Sequence, residues 1–314
     1  MGDWAGRLAG TAAGLAVSGL DTAVEQLFAQ QTTTWPLLAR GLSGLAAART
    51  KTLHIGSASV ALRHIPHRLQ STTARVDAAS IGARPCFLCE PNLPPEQRGV
   101  AAGEEWVALC NPFPILERHL TIVHRAHVPQ LLSGRTSTLL ALARALPGSF
   151  VIYNGPECGA SAPDHLHFQA ADRALFPIEA EIGDGEGLVD HPARPIVLRD
   201  ADDATLAARL ERLLRTLAEQ VAPPREPPVN LAAFQAQGRL TVCVFARRRH
   251  RPAAFDRGEL LLSPAAIDLC GVLVAPRADD YERLTAEIVG GVLDEVMLGR
   301  SELGALAKRA GLAS

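Results

Sequence analysis

Residues 163–170, PDHLHFQA, alternate polar and apolar side chains, and three of the polar positions are His165, His167 and Gln169. Side chains two apart in a strand share one face at roughly 6 to 7 Å. These three would therefore line one side while Leu166 and Phe168 enter the core. A neutral imidazole is nucleophilic near pH 7. On attacking phosphorus it forms a phosphoramidate that a second acceptor discharges, which splits one hard substitution into two easier ones. His167 is placed for that attack. Gln169 can donate to a phosphoryl oxygen without titrating. Just upstream, NGPECGAS offers the Asn154 side chain, the Gly159 backbone and the Ser161 hydroxyl where negative charge must be held. One histidine on a half-solvated strand is ordinarily incidental; two in phase with a glutamine, directly after a polar glycine loop, point to function.

Two further groups carry chemistry. Cys86 and Cys89 form a CxxC pair whose thiolates can take two corners of a tetrahedral zinc if two more donors come from elsewhere in the fold. Arg247, Arg248, Arg249, His250 and Arg251 follow an apolar run, and Arg249 is expected to reach the site and hold phosphate or a phosphorylated leaving group. Cys110, Cys158, Cys243 and Cys270 each lie in or beside apolar text with no base in view and read as packing residues.

The elements that must position these groups follow from the rest of the chain. Its 314 residues are 47% hydrophobic and 20% charged, which suffices for a sizeable core and one or two domains. A net charge of -2 offers no general attraction to nucleic acid or anionic lipid, so phosphate recognition must be local and neither is an expected partner. Six cysteines are too few for a disulfide scaffold in a chain of this length, and fit a reduced, cytoplasmic setting. No stretch approaches the roughly 18 uninterrupted apolar residues of a membrane span.

Residues 1–50 read as an N-terminal helical segment. Asp3 and Arg7 interrupt its opening alanine and glycine text, so it is a helix rather than a signal peptide; Leu20, Val24, Leu27 and Phe28 have helical spacing. Residues 51–185 read as the catalytic half: strand-like text from Leu53 to Ile81, the proline-rich loop around the CxxC, then strands WVALC and HLTIV. A helix follows with Leu131, Leu139, Leu142 and Leu146 apolar, then the strand SFVIYNG. Residues 186–314 read as a C-terminal half with an amphipathic helix from Leu206 to Leu217, an extended connector APPREPP and the strand RLTVCVFA. Its last helix runs through DDYERLTAEIVGGVLDEVML, with Leu284, Ile288 and Val292 on one face and Asp279 or Asp280 as cap. RHLTIVHRAHVP and RLTVCVFARRRHRP are alike, hinting at two related halves.

NGPECGASAPDHLHFQA resembles the transferase branch of the histidine-triad superfamily, whose members carry HxHxQ and transfer a nucleoside monophosphate through a nucleotidyl-histidine. The resemblance implies an α+β fold built on an antiparallel sheet with packed helices, with His167 as nucleophile and Gln169 beside it. Galactose-1-phosphate uridylyltransferases have a similar asparagine, glycine and serine, matching Asn154, Gly159 and Ser161, with one departure: Asp164 adds a residue between Ser161 and the histidines. The motif, together with LLSPAAIDLCGVLVAPRADDYERLTAEIVGGVLDEVML, is similar to GDP-hexose phosphorylases and to an uncharacterised bacterial group related to them. It covers residues 84–175 and 229–298.

In zinc-bearing members the other two ligands are the motif's first histidine, here His165, and a histidine beside the preceding strand, His119 or His127. The small members carry theirs at the edge that His119 occupies, which favours His119. With four protein ligands the zinc would be structural. The implied activity is that of a nucleotidyltransferase or phosphorylase acting on a nucleoside diphosphate sugar, with inorganic phosphate or a sugar phosphate as the second partner and a homodimer as the assembly to test. The alternatives are an Ap4A-type dinucleoside polyphosphate phosphorylase using the same intermediate, and a zinc-stabilised nucleotide-binding protein without turnover.

Overall fold

The computed structural model describes residues 3–12, 19–74, 77–219 and 226–312. Ten strands make one sheet: β1 (Leu8–Ala12), β4 (Gly99–Ala102), β5 (Trp106–Cys110), β6 (Leu120–His124), β7 (Ser149–Asn154), β8 (His167–Asp172), β9 (Gly187–Leu188), β10 (Ile196–Asp200), β11 (Val229–Ala236) and β12 (Arg239–Ala246). Their order is β1-β4-β5-β6-β8-β7-β11-β12-β10-β9. Every pairing is antiparallel except β1 with β4. A second sheet, in the order β13-β3-β2, joins β2 (Arg49–Ile55), β3 (Ala58–His64) and β13 (Val272–Ala275). The protein is therefore α+β, as its sequence predicts.

Alternation along the strands separates the two faces of the large sheet. One face, carrying Trp106, Ile122, Tyr153, Phe168, Leu231 and Val244, packs on the helices Leu20–Thr34, Thr136–Ala145, Asp203–Ala218 and Arg300–Arg309. The opposite face is divided. Under the second half of the sheet Ile152, Phe234 and Phe245 pack on residues of the small sheet and of the helix Ala286–Val296. Under the first half Val107, Leu109 and Val123 meet the loop that carries Cys86, Leu88 and Leu93. The HxHxQ motif lies where these two coverings meet.

Strand–helix–hairpin recurs in the two halves of the sheet. β6, the helix Thr136–Ala145, β7 and β8 form one unit; β10, the helix Asp203–Ala218, β11 and β12 form the other, and β7 pairs with β11 where they join. Residues 51–185 and 186–314 thus share one continuous sheet. In this arrangement β12 occupies the place of β8, whereas the likeness of RHLTIVHRAHVP to RLTVCVFARRRHRP would set it against β6.

Other local expectations shift. Residues 8–12 form a strand beside β4 rather than part of a helix, and residues 13–18 lie outside the described residues. Most of APPREPP, residues 222–225, also lies outside them. The C-terminal helix is broken in two, Ala278–Arg283 and Ala286–Val296, because Thr285 caps the second by accepting from Ile288 N at 3.3 Å. Asp280 is not a cap. Its buried carboxylate accepts from Arg277, Arg283 and the Leu261 amide. Ile288 is on the exposed side. Leu131 precedes its helix and is exposed, while Leu139 and Leu142 are buried within it. No helix among the described residues is long and apolar enough to cross a membrane.

Candidate active site and metal centre

β8 begins at His167, so His165 sits on the turn that enters it. Within the strand Phe168 and Ala170 turn to the helical layer, and His167 and Gln169 face a cavity of about 840 Å³ between the CxxC loop, the small sheet and the segment 263–268. His165 is turned aside from this cavity toward the cysteines. The in-phase row therefore splits into two jobs.

His167 is 3% exposed, and burial drives its pKa down to about 4, so the ring is neutral at pH 7. Its Nδ1 lies 2.8 Å from the His165 carbonyl oxygen. A carbonyl can only accept, so Nδ1 carries the proton and Nε2 keeps its lone pair, the tautomer a nucleophile needs. The strand itself is clamped by Gln130, which no sequence signal singles out. Gln130 Oε1 accepts from His167 N at 2.8 Å, and Nε2 donates to the His167 and Asn154 carbonyls at 3.0 and 2.9 Å.

His119 is not among the sulfur ligands, contrary to the sequence preference. Its Nδ1 accepts from the Ile115 amide at 3.2 Å, so Nε2 is the protonated nitrogen and donates to Gln169 Oε1 at 2.8 Å. With its oxygen thus engaged, Gln169 turns its amide nitrogen, a donor, toward the cavity. Gln169→Ala should slow turnover by roughly 10² to 10³, as for loss of one preorganised donor. His119→Phe should lower kcat less than that and leave KM nearly unchanged. Steady-state kinetics on both variants check this; a His119→Phe enzyme altered only in KM would exclude the orienting role.

The upstream loop meets the cavity at Asn154, Gly159 and Ser161. Gly159 has φ +97°, and a Cβ there would sit 2.7 Å from Ala265 Cβ, which explains the glycine. Asn154 is a brace as much as a wall. Its Oδ1 accepts from Asn230 Nδ2 at 2.7 Å and from the Ala266 amide at 3.0 Å. Asn230 in turn accepts from the buried Arg247 at 2.6 Å. Arg247 also donates to the carbonyls of His250 and Pro264, tying the two C-terminal segments of the wall together.

Arg249, expected at the site, is held elsewhere by Glu295 at 2.7 Å and Asp256 at 2.6 Å. The cavity instead takes His250 and Arg251 from the same basic stretch, with Arg68 and Arg84 from the other half. A basic run announces charge, but which of its members turn inward is decided by where acidic partners lie.

The second job belongs to Cys86, Cys89, His127 and His165, whose ligand atoms all lie within 4.8 Å of one another. Individual separations are 3.3 Å for Cys86 Sγ to His165 Nδ1, 3.6 Å for Cys89 Sγ to His165 Nδ1, and 3.2 Å for Cys89 Sγ to His127 Nδ1. Bonds of about 2.3 Å to sulfur and about 2.1 Å to nitrogen place tetrahedral donors at about these distances. His165 Nε2 donates to the His124 carbonyl at 2.7 Å, leaving Nδ1 unprotonated and aimed at the sulfurs. The residues therefore fit a metal ion, and the histidine completing the set is His127. Asp164 is 3.9 Å from His127 Nε2 and 3.2 Å from Arg84 Nη2, between the cluster and the cavity wall. Burial pushes the Cys86 thiol up to about 11, so a thiolate there needs a cation beside it.

Residues 27–172 match the family model described as a domain of unknown function (DUF4922). No curated protein sequence matches the chain. Among solved structures, yeast Ap4A phosphorylase in complex with AMP is similar at 17% identity and a TM-score of 0.59, with 90% of this chain and 97% of that one covered. The same enzyme alone gives 16% and 0.57, and in complex with Ap4A 17% and 0.53, each covering 84% of this chain and 97% of the other. The finer likeness to GDP-hexose phosphorylases rests on the sequence segments alone, whereas these comparisons support the histidine-triad-like fold.

Proposed function

We propose that the protein is a nucleotidyltransferase of the phosphorylase type, acting on a nucleoside polyphosphate or its ester through a nucleotidyl-His167 intermediate. The observation that carries this reading is the buried, neutral His167 with its proton held on Nδ1 by the His165 carbonyl, facing a cavity beside the Gln169 amide. In the first step the Nε2 lone pair attacks the α-phosphorus and the P–O bond to the leaving phosphate breaks. In the second, an acceptor phosphate oxygen attacks, the P–N bond breaks and neutral imidazole returns. Gln169 and the loop donors stabilise the charge that gathers on the non-bridging oxygens.

A dinucleoside polyphosphate is favoured as donor over a nucleoside diphosphate sugar, because the likeness in fold extends along nearly the whole of a phosphorylase described with Ap4A and AMP. The sugar ester is the second reading, supported by the C-terminal sequence segment. Cys86, Cys89, His127 and His165 would hold a structural zinc, which supplies a rigid tether between the CxxC loop and the catalytic strand and no open coordination position.

Intact-protein mass spectrometry after incubation with Ap4A, or with GDP- and UDP-hexoses in separate samples, tests the reading. An adduct of one nucleoside monophosphate is expected, and its mass names the base. The absence of any adduct across the panel, with nucleotide binding intact, would favour a binding protein without turnover.

A further inference from the structure

The basic stretch that follows β12 is not uniform. Arg248 pairs with Glu302, and Arg249 pairs with Asp256 and Glu295. Arg251, two residues on, has no carboxylate within 4 Å among the described residues. Its Nε donates to Ser263 Oγ at 3.2 Å and its Nη2 to the Thr72 carbonyl at 3.0 Å, while the guanidinium carbon stands 4.2 Å over the Phe255 ring. Arg68 shares this condition: Nη1 donates to the Phe113 carbonyl at 2.8 Å, and no carboxylate pairs with it among the described residues. Both line the same cavity as His167.

Neutral acceptors fix the orientation of these two guanidinium groups without cancelling their charge. Burial lowers both pKa values, that of Arg68 to about 10, and a guanidinium keeps its charge at neutral pH. Among the described residues the cavity wall holds three arginines, Arg68, Arg84 and Arg251, against one carboxylate, Asp268, and Arg84 is already paired with Asp164. In a chain of net charge -2 the described wall thus carries a local excess of positive charge, only partly offset by Asp268 near Arg68 and Asp256 near Arg251, and this excess suits an anion from outside. His250 stands beside it with Nε2 3.4 Å from Ser263 Oγ.

We propose that Arg68 and Arg251, with the Ser263 hydroxyl and the His250 imidazole, form a phosphate subsite for the group that leaves His167's substrate and for the group that later attacks the nucleotidyl-histidine. The assignment of those two roles rests on the proposed function; the binding of a phosphate dianion does not. The subsite is assembled from both halves of the sequence, since Arg251 reaches the Thr72 carbonyl just beyond Arg68. Arg247 shapes its far side by gripping the His250 and Pro264 carbonyls.

Calorimetric titration of the full-length protein with inorganic phosphate, and separately with glucose 1-phosphate, tests this without any nucleotide present. Saturable binding of at least one of the two is expected, weakened at least tenfold in Arg68→Gln and in Arg251→Gln, and weakened less in Ser263→Ala, which removes one hydroxyl. Arg248→Gln, outside the cavity, should bind as the wild type does. If phosphate binds equally well to Arg251→Gln and Ser263→Ala, both still folded by circular dichroism, or if neither anion binds at millimolar concentration, the subsite is overturned. His167→Ala should keep phosphate binding. Arginine-dependent binding in a protein that forms no nucleotidyl-histidine would sink the proposed reaction and leave the subsite standing.

Discussion

His167→Ala should lower turnover by at least roughly 10⁴-fold, because removing the atom that carries the intermediate leaves only binding and the surrounding donors. Melting temperature should hardly change, since the ring donates one hydrogen bond, to the His165 carbonyl, and the strand is clamped through its backbone by Gln130. His167→Gly, which opens a space the size of the ring, should regain part of the activity when imidazole is supplied. The reaction should also divide. The leaving phosphate compound departs before the acceptor reacts, so initial-rate plots should give parallel lines, and labelled leaving group should exchange into the donor without acceptor. Near-normal turnover in His167→Ala would end the covalent mechanism. Intersecting lines without exchange would replace it with direct transfer.

Loss of the metal should act on both stability and chemistry. Protein purified without chelator is expected to carry about one zinc per chain, lost at acid pH as the thiolates and imidazoles protonate. Cys86→Ser should cost several kcal/mol and lower the melting temperature by about 10 °C, at a few degrees for each kcal/mol. His127→Ala should do likewise, whereas His119→Phe should retain the metal; that contrast in zinc content separates the two histidines directly. Activity should fall with the metal even though no reacting group is a ligand. His165 contributes Nδ1 to the cluster and its carbonyl to His167 Nδ1, so a loosened His165 releases the tautomer on which His167 depends. Metal analysis that finds no zinc, together with unchanged stability in Cys86→Ser, would reduce the CxxC to packing.

Phe87 and Leu88, between the two cysteines, line the cavity, and the Arg84 guanidinium stands 4.9 Å from the Phe87 ring. A metal held by Cys86, Cys89, His127 and His165 would also fix this apolar wall of the cavity, so its loss should raise KM for the nucleotide as well as lower kcat.

What could be read in the sequence was whatever depends on a short period. The alternation through Leu166, His167, Phe168 and Gln169 settles which side chains enter the core, because a strand has only two faces. The spacing of Leu206, Leu210, Leu213 and Leu217 marks a helix for the same kind of reason, and all four are buried. The CxxC pair is local too. Its two thiols converge because only two residues separate them.

The tertiary structure decided what depends on separation through space. His119 and His127 flank β6 at opposite ends, and only the fold shows that one meets Gln169 while the other meets Cys89. β1, read as part of a helix in the sequence, and β10, not marked there as a strand, owe their place to the strands they pair with, β4 and β12. In the arginine run, position along the chain is uninformative: Arg248 and Arg249 find carboxylates on the helices Arg300–Arg309 and Ala286–Val296. Arg251 turns to a carbonyl 179 residues away. Charge is a property of the residue, but whether that charge is spent inside the protein or left for a ligand depends on partners that folding brings from elsewhere in the chain.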